Sequence, residues 1–103
     1  MSRGPDAATL LERRLRIAAE AAGVSIAITA SDWTGWASAT FNGARHRLTL
    51  SSGDAGFAAW LAELPEADLP LRGHLVADLI FTGGATLPDR HDATIEVLTV
   101  EER

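Results

Sequence analysis

The chain of 103 residues contains no cysteine, no lysine and no tyrosine. Without cysteine there are no disulfides, no thiol chemistry and no thiolate metal sites, which fits a reducing compartment. No stretch approaches the roughly 18 apolar residues of a membrane span, so a membrane is not an expected partner. The amino-terminal stretch also lacks the unbroken apolar run of a secretory signal, because Arg13, Arg14 and Arg16 interrupt it. The expected location is the cytoplasm. With lysine absent, all positive charge is arginine, and the net charge is −5. The arginines are scattered, and Asp54, Glu63, Glu66 and Asp68 form a stretch with no positive charge. Sequence-independent nucleic-acid binding needs a basic face to neutralise phosphates, so nucleic acid is excluded as an expected partner.

What is present suits a single domain over residues 1–103, long enough for one core. Residues 1–5 read as a disordered tail. Asp6 is a helix N-cap type, and Leu11, Leu15, Ala18 and Ala22 follow the spacing of one helix face. Gly23 supplies the left-handed residue that closes such a helix. Residues 24–30 alternate as a half-buried strand, and 31–35 read as a connection. Asn42-Gly43 predicts a two-residue type I′ turn between strands 36–41 and 44–51, with Phe41 facing Ala44. A second helix is predicted over 54–64, with Phe57, Trp60, Leu61 and Leu64 as its apolar stripe and Pro65 ending it. Strands follow at 74–82 and 93–100. The expected fold is α+β, in the order α-β-β-β-α-β-β, with an antiparallel five-stranded sheet and both helices packed on one face.

The first five elements in that order are similar to the order of double-stranded RNA-binding domains. Such a domain holds phosphate with basic residues where its second helix begins. Here that position reads Ser52-Gly53-Asp54-Ala55-Gly56, which repels phosphate.

The chemistry-bearing residues are few. His74 and Asp78 lie four apart on one strand, about 13 Å between Cα atoms at roughly 3.3 Å per residue, too far to share an ion. His91 with Asp89 and Asp92 reads first as a solvated loop tip. There is no nucleophile elbow, no His-Glu-x-x-His and no phosphate-binding loop. Gly83-Gly84 is first of all a turn signal. No catalytic residue, metal ligand or cofactor is expected. His46 is aimed at the apolar face of its hairpin, where a histidine at the core rim is the plain reading. Asp78 reads as an edge or hydrogen-bonded carboxylate, or as a buried base. Trp36 falls on the polar face, near Arg47.

The last two strands carry apolar residues at both parities: Leu75, Leu79 and Leu98 at one, Val76, Ile80, Ile95 and Val97 at the other. Two helices can cover one face only. The expected function is therefore a protein-interaction or homodimerising domain, with Trp36, Val76, Ile80, Ile95 and Val97 at its interface. The other reading is a small-molecule binder or minor enzyme with a pocket near His46 or Asp78.

Overall fold

A computed structural model describes residues 6–102; the expected tail at 1–5 lies outside them. The elements are α1 (Ala7–Ala21), β1 (Ala27–Ala37), β2 (Asn42–Ser52), α2 (Phe57–Glu63), a short 3-10 turn (Leu64–Glu66), β3 (His74–Thr86) and β4 (His91–Glu101). The fold is α+β, but the order is α-β-β-α-β-β, and the antiparallel sheet has four strands, arranged β1-β2-β4-β3. The protein therefore departs from the expected five strands, and with them from the element order shared with double-stranded RNA-binding domains.

The correction has a local cause. The sequence predicts two strands, 24–30 and 36–41, with a connection between them. One continuous strand, β1, instead runs from Ala27 to Ala37 and includes Ser31-Asp32-Trp33-Thr34-Gly35. This is an outer strand, exposed along most of its length. A strand with no buried face has no need of apolar alternation, so its period is invisible. The turn is also displaced. Ala37 pairs with Asn42 and Gly35 with Ala44, which puts Asn42 and Gly43 inside β2. The turn is held by Ser38, whose N–H donates to the Phe41 carbonyl at 2.7 Å and whose Oγ accepts from the Phe41 N–H at 3.1 Å. Gly43 has no positive φ; it serves close packing instead. A side-chain carbon built there would lie 2.7 Å from the Trp36 indole and would also press on the Thr99 carbonyl oxygen.

Helix α1 forms as its sequence requires. The Asp6 carboxylate accepts from the Thr9 N–H at 2.8 Å. At the far end the Gly23 N–H donates to the Glu20 carbonyl at 3.0 Å, and that of Val24 to Ala19 at 2.8 Å. Gly23, at φ 76°, makes this reversal, and Val24 turns back into the core. Helix α2 is shorter than expected. Pro65 lies in the 3-10 turn that follows it, where a missing N–H costs little.

Both helices lie on one face of the sheet. Leu11, Leu15 and Ala19 of α1 and Phe57 and Trp60 of α2 pack with Leu48, Leu50, Ala93, Ile95, Val97 and Leu79. Leu69 and Leu71, on the approach to β3, complete this layer.

Candidate functional site

Among the described residues, no helix lies on the opposite face of the sheet. Strand register fixes which residues share it. Trp36 pairs with Gly43, Gly43 with Val100, and Val100 with Leu75, so these form one row across all four strands. The next row is Thr34, Arg45, Leu98 and Asp78. Beyond it lie Asp32, Arg47, Glu96 and Ile80, then Ala30, Thr49, Thr94 and Gly83. The face is thus apolar at the end nearest the β1–β2 turn and charged across its middle.

Two of its apolar side chains are open to solvent: Leu75 is 55% and Ile80 48% exposed. Leu98, Val100 and Trp36 are half-buried. The indole of Trp36 lies over the bare backbone of Gly43, and its Nε1 is buried with no hydrogen-bond partner among the described residues. In the charged rows, the Arg47 guanidinium donates to Glu96 at 3.1 Å across the β2–β4 pair. The Thr49 and Thr94 hydroxyls meet at 3.3 Å one row further on. Such cross-strand pairs each add roughly 0.2–1 kcal/mol and hold the side chains in their rows.

The expected interface residues divide between the two faces. Trp36 and Ile80 are on the helix-free face. Ile95 and Val97, each 0% exposed, lie beneath the helices, and Val76 packs against the same core. The physical reason lies in β3. The register shifts between Val76 and Asp78, and again between Phe81 and Gly83. A bulge inserts one residue and reverses the parity of all that follow. Val76 and Ile80 therefore point to opposite faces despite their even spacing. Leu98 pairs with Arg45 and Leu75 with Val100, which puts both on the free face, not under the helices. Leu75, Leu98 and Val100 are the members of this surface that alternation alone does not assign to it. The contrast of Leu75 with its neighbour Val76 carries no sequence signal, because both are apolar.

His46 and Asp78 lie on opposite faces and form no common pocket. His46 is 2% exposed, under the helices; its Nε2 is 2.9 Å from the Thr99 hydroxyl. Burial pushes its pKa below the ordinary 6.5, against a smaller upward pull from the Asp6 carboxylate. His74 is near enough to His46 to add a small downward contribution, and its own Nδ1 is buried with no hydrogen-bond partner among the described residues. Asp78 is exposed, on the free face beside Leu98. A hollow of about 270 Å³ borders His74, lined also by Leu69, Leu71, Val76 and Glu102. His91 lies at the opposite end of the β3–β4 pair, with Nδ1 3.3 Å from the Thr86 hydroxyl. Among the described residues no three acidic, histidine or cysteine side chains are grouped so as to hold a metal ion. No helix among them is long and apolar enough to cross a membrane.

No protein-family description matches the chain, and neither a curated protein nor a solved structure is significantly similar to it.

Proposed function

We propose that this chain is a cytoplasmic interaction domain that self-associates through its helix-free sheet face. The observation that carries this reading is the composition of that face. Exposed Leu75 and Ile80 adjoin Trp36, Leu98 and Val100, and beside them stand both signs of charge, Arg45 and Arg47 with Asp32, Asp78 and Glu96. A partner of one sign would leave either the arginines or the carboxylates unmatched. A second copy of the same face presents both signs to both signs, as two-fold interfaces allow. The size is adequate. Four strands at about 4.8 Å spacing, over a length of roughly 30 Å, present on the order of 600 Å² per copy. A standard interface buries about 800 Å² per partner by accessible surface, which exceeds the flat area for a corrugated face.

The test is solution mass by light scattering across a concentration series. The parent is expected to be dimeric at micromolar concentration. Leu75→Arg should yield a folded monomer, because it places an unpaired charge in the apolar end. Ile17→Arg, at an exposed position on the outer surface of α1, should leave the dimer intact. A monomeric parent, or a dimer indifferent to Leu75→Arg, would overturn the reading.

A further inference from the structure

We infer that the second copy is related by a two-fold axis that runs parallel to the strands, between β2 and β4. This inference rests on the self-association proposed above and specifies how the two faces meet. Two aligned sheets packed face to face have only two simple two-fold choices. An axis in the sheet plane but across the strands stacks β2 of one copy on β2 of the other. Arg45 and Arg47 are both β2 residues of this face, so that choice sets cation against cation near the centre. Like charges brought together in a desolvated interface oppose association strongly.

An axis along the strands exchanges the columns and keeps the rows. Column β2 then faces β4 of the second copy, and β1 faces β3. The row assignments become contacts. Arg47 of each copy looks across at Glu96 of the other, beside the Glu96 it already holds at 3.1 Å. The four groups, two guanidinium and two carboxylate, alternate in sign around the axis. Val100 faces the second copy's Gly43 and meets the indole of Trp36 that lies over it. Trp36 in turn faces Leu75, the most exposed large apolar side chain on this face. Thr49 faces Thr94, and Thr34 faces Asp78. Sheets stacked at about 10 Å are within the combined reach of an arginine and a glutamate. The aligned packing angle near −30° displaces the outer β1 and β3 columns more than β2 and β4, so the Arg47–Glu96 match beside the axis is the best preserved. Asp32, which faces Ile80 in this arrangement, is in an outer column and keeps its water.

The geometry predicts a complementation that restores the parent's own pairing of opposite charges, whereas the axis across the strands, which stacks Arg47 on Arg47 already in the parent, would make the mixed dimer much tighter than the parent. Arg47→Glu alone sets the introduced carboxylate of each copy against Glu96 of the other. Glu96→Arg alone sets the introduced guanidinium against Arg47. Each variant should dimerise at least about tenfold more weakly than the parent. Mixed in equal amounts, the two should form a heterodimer. On one side of its axis the introduced carboxylate faces the introduced guanidinium, and on the other Arg47 still faces Glu96. Native mass spectrometry of the mixture, with one variant isotopically heavy, reads this directly, and circular dichroism verifies that each variant is folded. Recovery of a mixed dimer at close to parental affinity supports the axis. A dimer that Leu75→Arg abolishes, but in which the charge reversals fail to weaken association or fail to complement, overturns the axis and leaves the self-association standing. A monomeric parent overturns both.

Discussion

On β2, Ala44, His46, Leu48 and Leu50 lie beneath the helices and are buried, while Arg45, Arg47 and Thr49, one residue out of phase, look the other way. On β4, Ala93, Ile95, Val97 and Thr99 are buried and Thr94, Glu96 and Leu98 are only partly covered. The same two central strands thus present an apolar, close-packed face and a mixed, ordered but open one. The first face specifies the fold through burial. The second is free to change without unfolding the protein, and any contact with another molecule must be made there, at the edges or on the helix backs. The boundary between the two is not drawn strand by strand, since β3 crosses it twice at its bulges.

Isoleucine makes the comparison directly, because Ile95 is fully buried under the helices and Ile80 is exposed on the free face. Ile95→Ala should cost about 2–5 kcal/mol in urea unfolding, through lost burial and the cavity left behind. Gly43→Ala tests a place where the open face is packed tightly. The added methyl group meets the Trp36 ring and the Thr99 carbonyl, so a loss of about 1–3 kcal/mol is expected, with altered tryptophan fluorescence. A variant as stable as the parent would show that Trp36 is easily displaced. Ile80→Ala, measured on dilute protein, should change stability by less than about 0.5 kcal/mol. Losses at Ile80 equal to those at Ile95 would mean that the free face is not free.

The smallest expected effect concerns the polar group on the covered face. Burial depresses the His46 pKa below 6.5, so the folded protein keeps this imidazole neutral to lower pH than the unfolded chain does. Its neutrality costs nothing above about pH 7, where the unfolded chain is neutral there too. As pH falls through 6.5, the unfolded chain binds a proton that the folded chain refuses, and stability declines until the folded pKa is reached. His46→Gln should flatten that part of the curve, read as the difference between urea midpoints at about pH 5.5 and about pH 7.5. An unchanged slope would place the titration elsewhere.

Much of the covered face was legible in the sequence. The α1 stripe, its Asp6 cap and Gly23 exit, and the alternation from Ala44 to Leu50 all report burial, and burial is what apolar periodicity encodes. The displaced turn does not disturb the β2 faces: Ala44 meets Gly35 instead of Phe41, but the expected and the actual partner have the same parity. What could not be read lies where burial stops imposing a pattern. Ser31–Gly35 is exposed strand and resembles loop. The β3 bulges insert residues among apolar neighbours that mask the insertion, so simple parity puts Val76 and Ile80 on one face; Ile95 and Val97 lie under the helices because they pair with Leu48 and His46 of β2, which alternation within β4 does not reveal. Gly43 after Asn42 carries a strong turn signature, although the requirement here is steric, set by a tryptophan seven residues away in sequence.

The two margins of the sheet differ in how they are finished. β3 is broken by its pair of bulges, so its outer backbone groups do not form an even ladder. β1 is regular from Ala30 to Ala37, yet the Trp33 N–H donates to the carboxylate of its own neighbour, Asp32, at 2.9 Å. A foreign strand seeking to extend the sheet would have to displace an anion on one side and bridge two irregular steps on the other. Natural sheets use both devices against edge-to-edge growth. If two copies pair by the face as proposed, margins that resist strand addition would stop the assembly there instead of letting it grow into a ribbon.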